Sequence, residues 1–212
     1  MVKAPAGQWL LWFNATGDKA RNANPYWVMT CSGPQGPCGS PHKPSIYGCN
    51  RGGDFSIAVQ NSTAWMICSG TNRIITIEQL GKGDQNGVNV WHGMISNGAA
   101  EGVGIGILHI STGYEAVWSQ PNCGYCSGSP LLKAAAPGAT EVQAGYATAP
   151  NISGPWTDQG VLSPDYCTGQ PRTVFGALGA SWEWDDHWNG TANETGAAVA
   201  LIPLEMAPWS CQ

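Results

Sequence analysis

The feature that most limits what this chain can fold into is how often it is interrupted. Gly (29) and Pro (15) together make up more than a fifth of the 212 residues, and neither is well tolerated inside a helix. Between the interruptions lie short apolar runs rich in β-branched and aromatic residues, at positions 8–13, 26–30, 55–59, 64–69, 74–80, 104–110, 115–119, 145–149, 173–178 and 198–204. Short runs of this kind, bordered by Gly, Pro, Asn and Ser, read as β-strands, and no window of helical length carries a 3.6-residue apolar stripe. Ten such strands on short connections make an all-β chain, which leaves a sandwich, a barrel or a propeller. A weak repeat selects the propeller. Tyr26-Trp27-Val28-Met29-Thr30-Cys31-Ser32-Gly33-Pro34 parallels the run from Tyr146 to Gly154-Pro155-Trp156, each a strand that ends in small residues and reaches Gly-Pro. A similar strand-and-hairpin unit lies between Ala64 and Gln79, and recurrence at a few tens of residues is how propeller blades announce themselves.

Residues 1–212 suit a single domain, and a hydrophobic content of 42% is enough to fill its core. Charged residues are only 11% and the net charge is −5, with no basic run. Nucleic acid is thereby excluded as a partner, because phosphate binding needs clustered Lys and Arg. Leu10 to Phe13 is far too short to span a membrane. The eight cysteines (Cys31, Cys38, Cys49, Cys68, Cys123, Cys126, Cys167, Cys211) include a single C-x-x-C, at Cys123 and Cys126, with no second pair at a zinc-ligand spacing. Disulfides are therefore favoured over metal, at least three of them, with Cys123 or Cys126 bonded and the pairing left open. Five glycosylation sequons, at Asn14, Asn61, Asn151, Asn189 and Asn193, exceed the roughly two that chance would place, and agree with a secreted, glycosylated protein. Met1 to Pro5 carry no apolar leader segment, so the secretory reading expects a trimmed start or a fragment.

With only 14 carboxylates, each can be weighed. Asp18, Glu78, Asp84, Glu115, Glu141, Asp158, Glu194 and Glu205 read as solvated. Asp54, in Arg51-Gly52-Gly53-Asp54-Phe55, stands on a glycine corner entering an apolar strand, and Glu101, in Gly98-Ala99-Ala100-Glu101-Gly102, is placed alike. An acid among small residues at a strand entrance leaves room for a ligand; the plainer reading is a turn acid bonding its own backbone. Asp185-Asp186-His187-Trp188 reads as a turn, with cation binding as the alternative. Eleven Trp are many for this length, and flat apolar faces with an N–H suit sugar stacking, although most must be core. Nucleophile-elbow, metalloprotease and phosphate-loop motifs are absent from the sequence.

In order along the chain, these pieces resemble glycoside hydrolase family 43. Gln8 to Phe13 is similar to that family's G-K-Y-V-M-W-F strand. Gly52-Gly53-Asp54-Phe55-Ser56-Ile57, Ala64-Trp65-Met66-Ile67 and Ile75 to Leu80 resemble its second and third blades. Asn122 to Cys126 resembles a Cys-rich turn of galactan-active members, and Gly145 to Trp156 its strand ending in G-P-w. Cys167-Thr168-Gly169-Gln170-Pro171-Arg172 with Asp185 to Trp188 resembles the G-Q-P-R and D-R-W elements of the last blade. The resemblance implies a five-bladed β-propeller, of which about four blades are present in this chain and the first is lacking. It implies inverting hydrolysis in an axial pocket without a cofactor or metal. Glu101 takes the place of the general acid, and Asp54 that of the carboxylate that tunes it. Gln170 takes the place of the glutamine that exo-β-1,3-galactanase-like members carry instead of a base. Arg172, Trp118 and Trp188 would contact substrate. The usual Glu-Ala-Pro is Glu101-Gly102-Val103 here, and nothing before Gln8 supplies the first-blade base. The implied partner is an oligo- or polysaccharide, β-galactan or arabinogalactan first and arabinofuranosides or xylosides next, bound by a secreted monomer. A non-catalytic carbohydrate-binding protein, an inactive fragment and a structural secreted protein stay open as alternatives.

Overall fold

In the computed structural model, residues 1–4, 6–15, 25–50, 52–69, 74–81, 83, 85–95, 106–110, 113–120, 143–163, 169–177, 180–187 and 198–203 are described. They form fourteen strands in four antiparallel sheets that follow one another along the chain. Sheet I contains β1 (Val2–Lys3), β2 (Trp9–Asn14) and β3 (Tyr26–Cys31). Sheet II contains β4 (Phe55–Gln60), β5 (Thr63–Ser69), β6 (Ile75–Leu80) and β7 (Gly87–Ile95). Sheet III contains β8 (Gly106–Ile110), β9 (Gly113–Gln120), β10 (Gln143–Ala149) and β11 (Thr157–Ser163). Sheet IV contains β12 (Gly169–Ala177), β13 (Ala180–His187) and β14 (Ala198–Pro203). Within each sheet the strands pair in sequence order, as in a propeller blade. The first strands of sheets II, III and IV come together, β8 touching both β4 and β12.

The side-chain alternation of a strand explains how one sheet serves two neighbours. In β5, Ala64, Met66 and Cys68 join Leu10, Trp12, Tyr26 and Val28 of sheet I in one buried cluster. Trp65 and Ile67, pointing the other way, join Ile75, Ile77, Tyr114, Ala116, Trp118, Ala147 and Ile152 in a second cluster between sheets II and III. A one-residue slip would exchange the two faces, so both cores together specify the register.

All ten strands expected from sequence are present. Four more were missed: β1, which is two residues long; β7 and β11, which lie at sheet edges and carry many polar or glycine residues; and β13. The turn reading of Asp185-Asp186-His187 is corrected: these residues lie in the middle strand of sheet IV, with Asp185 opposite Pro171 and Ala200, and Asp186 opposite Gln170 and Val199. The Trp182-Glu183-Trp184 alternation was the overlooked strand signal. The repeat is confirmed with an offset. β3 and β10 are both third strands of their sheets. The equivalent turns run from Gly33 to Gly36 and from Asn151 to Gly154, each closed by a glycine N–H on the carbonyl three residues earlier, at 3.0 and 2.8 Å. Gly36-Pro37, and not Gly33-Pro34, therefore matches Gly154-Pro155.

Two disulfides are formed among the described residues. Cys31–Cys38 ties β3 to the segment that covers its outer edge, and Cys49–Cys68 ties the loop before β4 to β5. Cys123, Cys126, Cys167 and Cys211 lie outside the described residues.

Glu78 departs most from the sequence reading. It is fully buried rather than solvated. Its carboxylate accepts the backbone N–H groups of Tyr47 (2.9 Å), Gly48 (2.8 Å) and Cys49 (2.9 Å), bonding the loop onto sheet II. Gly87 lies beside it, where any Cβ would collide with Glu78 Oε1.

Gly145 is a second position without room. It pairs with Trp118, and a Cβ there would come 2.6–2.9 Å from three atoms of the indole. Gly145→Ala is therefore expected to destabilise the fold by about 1–3 kcal/mol through overpacking. Urea unfolding checks this, and a change near zero would mean that Trp118 shifts freely.

Candidate active site

A cavity of about 380 Å³ opens where the two ends of the sheet series meet. It is lined by Met1, Val2 from β1, Trp12 from β2, Phe55, Ser56 and Ile57 from β4, and Trp184 from β13. Six of its seven lining side chains are apolar or aromatic, while polar atoms make up about half of its surface, a mixture that suits a small-molecule site. Trp12 and Tyr26 both pack on Phe55, with ring centroids 6.4 and 5.0 Å away and the tyrosine edge-on.

Asp54 stands at the entrance to β4, immediately before the three cavity residues of that strand. Its corner depends on glycine: Gly52 and Gly53 have φ of +75° and +104°, a region that side chains disfavour. The corner is pinned from both sides, because Asn14 Nδ2 donates to Gly53 O at 2.6 Å and Ser69 N to Asp54 O at 3.2 Å. Burial pushes the Tyr26 phenol far above its ordinary range, and the negative charges of Asp54 and Glu78 raise it further. Tyr26 thus stays a neutral phenol at any working pH. Among the described residues, Trp12 Nε1, Asn14 Oδ1, Tyr26 Oη and Trp27 Nε1 are buried without a hydrogen-bond partner. Such atoms cost about 1–3 kcal/mol each when left unmatched; of the four, Trp12 lines the cavity and Asn14 holds the Asp54 corner.

The other sequence candidates fall in different places. Gln170 and Arg172 lie in β12, Gln170 opposite Asp186 and Arg172 at a register shift between Pro171 and Thr173. Glu101 and Trp188 lie outside the described residues, so the tuning of Glu101 by Asp54 that the resemblance implies does too. Trp118 is fully buried in the core between sheets II and III. An indole with no exposed surface has no face left for sugar stacking, and its role here is packing. Among the described tryptophans, Trp12 and Trp184 line the cavity. Trp184 is 42% exposed. Sequence reasoning missed both because eleven Trp offered no local sign of which face a cavity.

Glu115, read as solvated, is half-buried in β9, and burial raises its carboxyl pKa. A raised folded-state pKa favours the protonated form. Its stabilising contribution is complete below the ordinary carboxyl value of about 4 and is lost as pH climbs through the raised value. Glu115→Gln is expected to flatten that decline. Urea midpoints measured from acid to neutral pH test this, and parallel curves for the two proteins would refute it.

The described sheets have the arrangement of propeller blades, with a cavity walled by aromatic residues of sheets I, II and IV and with Asp54 directly before its β4 lining. No protein-family model matches the chain, and no curated protein matches it in sequence. Solved structures do match. A family 43 β-1,3-galactosidase superposes with a TM-score of 0.72 at 18% identity, covering 95% of this chain and 41% of that one. A second family 43 β-1,3-galactosidase, solved with galactodeoxynojirimycin, gives 0.74 at 12% identity over 96% and 70% of the two chains. The exo-β-1,3-galactanase of Phanerochaete chrysosporium, solved with galactose, gives 0.66 at 17% identity over 92% and 43%. The chain resembles the propeller of glycoside hydrolase family 43 and has that fold. It spans about two fifths of the first of these structures.

Proposed function

We propose that this protein cleaves galactose-containing glycans, β-1,3-galactan or arabinogalactan side chains, by inverting hydrolysis in the axial cavity. The observation that carries the reading is Asp54. This carboxylate stands on a glycine-built corner at the head of β4, the strand that supplies three cavity residues, in a fold like that of galactan-cleaving enzymes. In this reading Glu101 protonates the leaving oxygen, and Asp54 keeps it protonated by like-charge repulsion. Gln170 orients the attacking water, whose proton passes to solvent as Glu101 gives its own to the leaving oxygen, while Arg172 and Trp188 hold the sugar. Trp12 and Trp184 supply the apolar walls.

The test is incubation with β-1,3-galactan and with galactosyl and arabinosyl aryl glycosides, following the anomer released by NMR. Release of the inverted sugar supports the reading. Sugar binding by calorimetry without turnover replaces it with a carbohydrate-binding protein. Neither binding nor turnover removes both.

A further inference from the structure

The outer edge of sheet II carries a second aromatic surface, away from the cavity. Tyr47 and Trp91 are 44% and 48% exposed, as exposed as any aromatic side chain among the described residues. Each ring rests against a glycine. A Cβ on Gly48 would lie 2.7–2.8 Å from Trp91 Cβ, Cγ and Cδ2, and one on Gly87 would lie 3.2 Å from Tyr47 Cδ2. The loop beneath them is fixed at several points. Glu78 takes its three successive N–H groups, and Cys49 is bonded to Cys68. Gly87 N donates to Ser45 O at 2.8 Å, and Ser45 N to Asn86 Oδ1 at 2.8 Å. Two rings thus stand in water on a backbone held by five hydrogen bonds and a disulfide, an arrangement that lowers the entropic cost of binding.

The surroundings choose the ligand. Residues 45–50 and 85–93 contain no Lys, Arg, Asp or Glu, but do contain Ser45, Asn50, Asn86, Asn89 and His92. A nucleic acid or an acidic ligand would need cations that these segments lack. A protein partner would need about 800 Å² on this side, whereas the two rings together with the exposed Val88 and Val90 of β7 offer on the order of 300 Å². A neutral sugar fits: its apolar face stacks on an aromatic ring, and its hydroxyls bond amides and hydroxyls at the rim. We infer that Tyr47 and Trp91 form a separate binding site for a neutral glycan chain. β7 lies three strands out from β4, about 14 Å at the usual strand spacing, so a sugar here is not the one in the cavity. If the cavity cleaves glycan ends, this platform holds the same polymer nearby; its binding role stands without that reading.

Native electrophoresis of the intact protein through gels containing soluble arabinogalactan, with gels lacking polysaccharide as reference, tests the inference. The wild type is expected to be retarded, and Trp91→Ala and Tyr47→Ala to weaken binding by about three- to tenfold each. Trp91→Phe, which keeps the contact with Gly48, guards against a folding defect and is expected to bind at an intermediate level. The inference is overturned if the wild type runs unretarded or if the folded ring variants bind as tightly as it does.

Discussion

Glu78→Ala is expected to remove about 3–5 kcal/mol of folding stability, a large share of what a domain of this size possesses. The carboxylate is fully buried and holds the N–H groups of Tyr47, Gly48 and Cys49 at 2.8–2.9 Å. Alanine leaves those donors buried or forces the loop off the sheet, and either outcome is costly because no solvent replaces the lost acceptor. Glu78→Gln keeps one acceptor oxygen and the side-chain shape, so its cost should be about half, reflecting the loss of charge-assisted bonding. Urea unfolding with an unchanged m-value is the measurement. A cost below about 1 kcal/mol for Glu78→Ala would mean that the Cys49–Cys68 disulfide alone holds the loop. Because carboxylate and disulfide restrain one segment, their losses should not add.

Glu101→Gln is expected to lower turnover on galactan by about 10²–10⁴, the usual worth of a general acid. The loss should shrink on aryl glycosides with acidic leaving groups, which depart without a proton. Asp54→Asn gives a distinct signature. Removing a like charge lowers the pKa of the acid, so the basic limb of the pH–rate profile should move to lower pH. Asp186→Asn belongs in the same series because Asp186 pairs with Gln170 across β12 and β13. Activity lost in Asp186→Asn but kept in Gln170→Ala would transfer the water-activating role to that carboxylate. Unchanged turnover in Glu101→Gln would end the assignment of the acid.

The strands were legible where their residues carried the pattern locally. β2 to β6 alternate or run apolar between turn residues, and a period of two needs no information from elsewhere. β11, Thr-Asp-Gln-Gly-Val-Leu-Ser, has no such pattern; it is a strand because β10 offers it an open edge. Asp54 was legible for a comparable reason, since two glycines before an acid mark a corner wherever the rest of the chain goes. Trp12, Trp184 and Tyr26 were not, because their importance arises only when sheets I, II and IV approach one another.

Sequence alone therefore determined that this chain is all-β, that its strands come in repeated antiparallel units, and that Asp54 stands on a corner. Each of these follows from the conformational limits of neighbouring residues. The tertiary structure decided which face of each strand meets which partner. Trp118 is core because Gly145 leaves space beneath its ring, whereas Trp12 lines a cavity. Glu78 is buried because a loop some thirty residues away folds over it and supplies three donors. Burial belongs to the assembled packing and not to the residue, and a polar side chain in a short strand gives no sign of what will cover it.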